Sequence, residues 1–270
     1  MTIDLLVLGC GYTGSAVARL ARSRGLSVLA TVRTAARATP LRVEGFDVRI
    51  TEALEPRDVE GLVSPKTQVV VAFPPDGQTD ERLAPVCADA AAITYVSSTG
   101  VYGDLRGLID DATPLPSVAT ERGARLLRAE QAWRACGATV LRCPAIYGRD
   151  RGLHVRIVSG AHRIPGDGTA FTSRIHVEDL AQLILAARNV RGETFVVGDR
   201  APATQNEIAD WVAKEYGVPR PPHVPVETVH ETLRADRRID GSRALAILGV
   251  TLIYPSYVDG MVKAPRVISG

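Results

Sequence analysis

The chain has 270 residues, 46% of them hydrophobic, enough to bury a sizeable core in one large α/β domain or a domain with an appended lobe. Lys+Arg 32 against Asp+Glu 30 leaves a formal charge of +2, too weak a field to gather polyanions, so nucleic acid is not an expected partner. No window approaches the roughly eighteen apolar residues of a membrane span, and Cys10, Cys87, Cys136 and Cys143 form neither a C-x-x-C pair nor a metal-ligand spacing, which predicts a reduced, cytoplasmic protein without a metal site.

In chain order, the first predicted strand is "IDLLVLG", followed at once by "GCGYTG". Gly9, Gly11 and Gly14 have the G-x-G-x-x-G spacing: the first glycine permits a tight turn, the second lets backbone approach a pyrophosphate, and the third allows close helix packing. Alone the pattern is weak, but here it follows a strand and opens a helix through Tyr12 and Thr13, whose amides would face the phosphates. The helix is expected to run to about Arg24.

The second strand, "LSVLATV", ends at Thr31, Arg33 and Thr34 with no carboxylate. An Asp or Glu there would accept from the adenosine ribose of NAD, whereas a guanidinium can bond a 2′-phosphate, and such a charge-assisted bond is worth roughly 1.5 to 3 kcal/mol. NADP is therefore expected over NAD by about tenfold or more, with NAD still open and a solvated Arg33 as the alternative. "TQVVVAF" is the next strand, with Phe73, Pro74 and Pro75 leading into a loop past the cofactor. "AITYVSS" then carries Ser97, Ser98 and Thr99 to its end; Thr120 to Ala135 reads as a helix, and "ATVLRCP" as a strand that delivers Pro144, Ala145 and Ile146.

These strands are nearly continuous in Val, Leu, Ile and Ala, as expected when both faces of a parallel sheet are covered. Strands alternating with helices predict an α/β Rossmann-type doubly wound sheet over residues 1–148, completed by 176–197. After Tyr147 the rhythm changes: "GRDRGLHVRI" is charged, "RIPGDGTA" is a loop, "HVEDLAQLILAAR" an amphipathic helix and "GETFVVGD" a strand. Thr204 and Glu207 form a capping box for a helix to about Tyr216. Residues 149–270 are read as a small C-terminal substrate lobe interleaved with the core.

The glycine loop, "YVSSTGVYGD", "LRCPAIYGRDR", "SRIHVEDLA" and "GETFVVGD", in this order and spacing, resemble the extended short-chain dehydrogenase/reductase superfamily, which includes NAD-dependent epimerases and dehydratases of sugar nucleotides. "SSTGVYGD", "IDGSRALAILG" and "YPSYVDGM" look most like an atypical subgroup of nucleoside-diphosphate-sugar epimerases. The resemblance implies a nicotinamide cofactor and a small-molecule hydroxyl or carbonyl substrate such as a nucleotide sugar. It places Ser98 and Thr99 beside the reacting carbon and Pro144 near the carboxamide, with the oligomeric state left open.

In the family a downstream Tyr-x-x-x-Lys moves the proton. Alignment through Gly123 and Glu130 puts Arg122 at the Tyr position and Leu126 at the Lys position, and no Tyr in the chain has a Lys four residues later. Arg keeps its proton at ordinary pH, so Arg122 can stabilise an anion but cannot act as the base. Tyr102 with Arg106 and Tyr147 with Arg151 are the substitute pairs, and Tyr147 enters as a catalytic candidate. Tyr102 is equally readable as packing. Arg149, Arg151, Arg156 and Arg174 could converge on an anionic substrate or be a solvated face; His176 reads mainly as structural, and Asp110 and Asp111 as loop carboxylates. Two functions stay open: an atypical oxidoreductase or epimerase, and a sensor or scaffold that kept the cofactor cleft after losing turnover.

Overall fold

The computed structural model describes residues 3–76 and 78–262. One sheet holds β1 (Leu5–Leu8), β2 (Val28–Val32), β3 (Asp47–Ile50), β4 (Gln68–Val71), β5 (Ala92–Ser98), β6 (Thr139–Cys143) and β7 (Thr194–Val196). Their spatial order is β3-β2-β1-β4-β5-β6-β7, and every neighbouring pair is parallel. This is the doubly wound α/β architecture, with its switch point between β1 and β4 and a crevice beyond their carboxyl ends.

The helices α1 (Tyr12–Ser23), α2 (Ala35–Val43), α3 (Thr79–Leu83), α4 (Glu121–Ala135), α5 (Leu153–Val158), α6 (Val177–Ala186), α7 (Gln205–Tyr216) and α8 (Ser242–Leu248) follow in the chain. Because side chains alternate along a strand, β1 feeds two layers. Leu5 and Val7 pack with Val17, Ala18 and Ala21 of α1 and with Leu180 and Ile184 of α6. Leu6 and Leu8 face the other way, against Leu83 of α3 and Ala129 and Trp133 of α4. The predicted apolar runs are thus the strands covered on both faces. The edge strand β3 and helix α2 have no counterpart in the sequence reading: β3 is "DVRI", mostly exposed, and carries no apolar run to betray it.

Beyond β6 the chain builds a second core from Tyr147, Ile157, Ile164, Ile208, Val212 and Met261. Helix α7 starts at the expected capping box, with Thr204 Oγ1 accepting from Glu207 N at 3.2 Å and Glu207 Oε2 accepting from Thr204 N at 2.7 Å. Two short parallel pairs tie this part to the crevice: residues 145–147 with 174–176, and 107–109 with 237–239. Among the described residues no helix is long and apolar enough to cross a membrane, and no group of three or more His, Cys, Asp or Glu is placed to hold a metal.

Candidate functional site

The crevice begins at the glycine loop, where the three glycines have three different surroundings. Gly9 has φ +83°, and a Cβ there would stand 2.7 Å from Phe73 Cβ. Gly14 is walled by Gly9 O at 2.9 Å and Val7 Cγ1 at 3.0 Å, so the third glycine lets α1 lie against β1. A Cβ on Gly11 would meet nothing within 4 Å, so the cradle is open on the side from which a diphosphate would approach. No side chain caps α1 and its first turn holds no acidic residue. The amides of Tyr12 and Thr13 therefore start a helix whose positive end is free to receive an anion.

Thr31 holds this loop from behind: its hydroxyl accepts from Gly9 N at 3.0 Å and donates to Val7 O at 3.3 Å, while its carbonyl accepts from Cys10 N at 2.7 Å. Thr31 is buried, and its side chain braces the cradle from beneath. Arg33 is exposed at the end of β2 and has no ion-pair partner among the described residues. Thr34 caps α2 by accepting from Arg37 N at 3.4 Å, which puts a second exposed guanidinium, Arg37, one helical turn from Arg33. Phe73, packed on Gly9, forms the crevice wall, and Pro74 beside it is exposed.

At the end of β5, Ser98 Oγ accepts from Gly100 N at 3.1 Å, and among the described residues nothing accepts its proton. The hydroxyl is free to donate to a ligand oxygen. A Cβ built on Gly100 would lie 3.1 Å from Leu126 Cδ1, 3.3 Å from Ser98 Oγ and 3.6 Å from Arg122 Cζ. The side chains at the two replaced positions of α4 therefore stand around Ser98. Thr99 is buried, and its carbonyl accepts from Arg237 Nη1 at 2.7 Å; the same guanidinium bonds Leu105 O at 3.0 Å and Gly103 O, which clamps the loop after Ser98.

Ser97, a cofactor-binding candidate from the sequence, turns its hydroxyl to the opposite side of the strand. Its hydroxyl donates to Glu130 Oε1 at 2.6 Å, and Glu130 also accepts from Arg142 Nε at 3.1 Å and Nη2 at 2.8 Å. Arg142 Nη1 in turn bonds the Tyr102 hydroxyl at 3.1 Å. Burial opposes the Arg142 charge, yet the bonds to Glu130 outweigh it and hold the guanidinium above its ordinary range. Sequence reasoning used Glu130 only as an alignment anchor. The signal was present: Gly123, Leu126, Glu130 and Trp133 share the buried stripe of α4, and a carboxylate on such a stripe needs a buried partner. Arg237 had no comparable signature.

Both substitute Tyr-x-x-x-Arg pairs fail. Tyr102 is fully buried with Arg142 as its cation, while Arg106 lies 3.9 Å from Asp236. Tyr147, the other catalytic candidate, is 1% exposed in the second core with its hydroxyl on Ser256 O at 3.3 Å. Its expected partner Arg151 instead lies over the Tyr12 ring, 4.9 Å from the centroid. Arg174 is also removed from substrate: it is buried, bonds Thr172 O at 2.9 Å and lies 4.0 Å from Asp199. His176 caps α6, Nδ1 accepting from Glu178 N at 3.3 Å. Asp111 accepts from Val196 N at 2.5 Å, and Asp110 closes a turn to Ala112 and Thr113. Pro144 is half-buried at the end of β6, beside the exposed Ala145.

No protein-family model matches this sequence, and no curated protein matches it. Solved structures do. A functionally unknown conserved protein from Silicibacter pomeroyi shares 28% identity over 96% of each chain, with a TM-score of 0.81. UDP-glucuronic acid 4-epimerase from Bacillus cereus, in complex with NAD, shares 18% over 95% of each chain at 0.74. This chain has the fold of the extended short-chain dehydrogenases/reductases. A third match within that fold is MoeE5 in complex with UDP-glucuronic acid and NAD, with 22% identity, 95% of this chain and 96% of the other covered, and a TM-score of 0.75.

Proposed function

We propose that the protein is a cytoplasmic, NADP(H)-dependent oxidoreductase or epimerase of the atypical extended type, acting on a hydroxyl or carbonyl group of a small molecule such as a nucleotide sugar. The observation that carries this reading is the placement of Ser98, with a free donor hydroxyl, beside Arg122 at the end of β5, in the crevice that the open glycine cradle enters. The cradle fits a dinucleotide because Gly11 leaves room and the first amides of α1 are uncapped. Bound NADP would supply hydride acceptance or donation at its nicotinamide ring. In this reading residues 1–148 with 176–197 hold the cofactor, and 149–270 complete the substrate side.

The roles follow from the chemistry of each group. Tyr12 and Thr13 amides hold the diphosphate; Arg33 and Arg37, flanking the Thr34 cap, hold the 2′-phosphate; Ser98 polarises the substrate oxygen. Arg122 stabilises negative charge and cannot accept a proton. NADPH and NADH titrations of wild type and Arg33→Asp test the cofactor assignment. Wild type is expected to favour NADPH by about tenfold or more, and Arg33→Asp to abolish that margin. An unchanged preference would remove Arg33 from the 2′-phosphate.

A second reading has its own observation, the loss of both proton-handling residues to Arg122 and Leu126. General acid-base help is typically worth about 10²- to 10⁴-fold, so a chain without it suits a dinucleotide sensor or scaffold. A panel of sugar nucleotides and small carbonyls separates the two: turnover with any member supports the enzyme, and micromolar NADPH binding without turnover supports the sensor.

A further inference from the structure

Of the two replaced positions on α4, Arg122 brings a charged group to the crevice, and its partner shows what it is built to bind. Its Nη1 lies 3.8 Å from Glu231 Oε1, and the two side chains are 42% and 60% exposed. Glu231 comes from a short turn, Glu231–Leu233, far along the chain. At that distance and exposure the pair is loose and screened by solvent, unlike the bidentate pair of Arg142 with Glu130. Around it the other cation, Arg237, has its donors committed to backbone carbonyls at Thr99, Gly103 and Leu105. Arg122 is thus the guanidinium beside Ser98 with donors to spare, and Leu126, one turn on, gives it an apolar wall.

We infer that Arg122 is a specificity-determining receptor for a carboxylate on the substrate, and that Glu231 occupies that receptor until the substrate carboxylate displaces it. This rests on the reading of the Ser98 crevice as a substrate site and names its substrate class: a hydroxyl or carbonyl compound with a carboxylate close to the reacting carbon, such as a uronic acid carried on a nucleotide. The physical reason is geometric. A planar guanidinium donates two parallel bonds to a carboxylate, whereas a neutral hydroxymethyl offers one weak acceptor. The exposed Glu231 pair is replaced at little cost, because both of its members return to water or to a better partner.

The test is calorimetric binding, with saturating NADPH, of two probes that differ at one group: UDP-glucuronic acid and UDP-glucose. Wild type is expected to bind the charged probe at least about tenfold more tightly. Arg122→Gln should remove most of that ratio while leaving NADPH affinity and the melting temperature unchanged, and Arg122→Lys should restore part of it. Glu231→Gln, on an exposed turn, should tighten the charged probe severalfold and leave the neutral one alone. Equal binding of the two probes by wild type, a ratio that survives Arg122→Gln, or a Glu231→Gln protein that gains nothing each overturns the assignment, while the nucleotide-sugar reading stands. If NADPH binds and neither probe does, the nucleotide-sugar reading itself fails and the carboxylate receptor with it.

Discussion

The two ends of the crevice obey the family pattern to different degrees. At the glycine-loop end, Gly9 has the positive φ of a tight turn and Gly14 the close helix–strand packing that their spacing predicts, while Gly11 faces open space. At the α4 end Leu126 stands against Gly100 and Arg122 beside Ser98, at the positions where the resemblance leads one to expect a Lys and a Tyr. The difference lies in what each end is made of. A cradle built of backbone amides depends on φ and on missing Cβ atoms, so any departure disturbs the loop itself. A proton relay built of two side chains on a helix surface can be exchanged without altering the helix that presents them.

What keeps the altered end in shape lies beneath it. Ser97, Glu130, Arg142 and Tyr102 join β5, α4, β6 and the turn after Ser98 through buried hydrogen bonds. If this network is the support, breaking it gives the largest effect of all. Glu130→Gln, which leaves the Arg142 charge buried without its counterpart, is expected to cost about 3–5 kcal/mol in urea unfolding. Glu130→Leu with Arg142→Met should recover part of that loss, because no charge is left buried, while the Ser97 and Tyr102 hydroxyls give up their partners. A Glu130→Gln cost below about 1 kcal/mol would mean that packing around Trp133 and Leu126, not the ion pair, sets the wall.

The phosphate end is sharpened by a pair of glycines. Gly9→Ala forces a side chain into a positive φ and against Phe73, so a stability loss of about 1–3 kcal/mol is expected along with weaker NADPH binding. Gly11→Ala meets no protein atom; its melting temperature should stay at the wild-type value while NADPH affinity falls by about tenfold or more. Should both variants lose stability equally, the open side of Gly11 is not a ligand space.

The smallest expected effect is a null one, in pH. Burial first, and then the nearby Asp150, push the Tyr12 phenol up to about 12 from its ordinary 10. A raised acid contributes stability below its unfolded value and loses it only as pH climbs from 10 through about 12. Tyr12 therefore stays neutral beside the cradle, and NADPH affinity should be flat between about pH 7.5 and 9.5. A fall of affinity through pH 9 would show that the phenol ionises in reach of the phosphates.

Several parts of this molecule were legible before any coordinates. The apolar runs that became β1, β2, β4, β5, β6 and β7 were visible because strands covered on both faces must be apolar on both. The capping box at Thr204 and the glycine loop were visible because they are local, and local hydrogen bonds and steric limits leave marks at fixed spacing. Strand β3 escaped because an exposed edge strand has no burial to enforce a pattern.

Pairing of side chains across long separations was another matter. Spacing of four suggested Tyr102 with Arg106 and Tyr147 with Arg151; the fold instead gave Tyr102 to Arg142 and laid Arg151 over Tyr12. Likewise the partner of Arg122 arrives from Glu231, and the clamp on the loop after Ser98 from Arg237. The sequence by itself determined the layers, the cradle and the absence of the Tyr and Lys, since each follows from residue type and near-neighbour geometry. Only the tertiary structure decided which cation faces the crevice and which is buried, because a charged side chain takes its partner from whatever element the fold brings within a few ångströms, and sequence distance carries no trace of that.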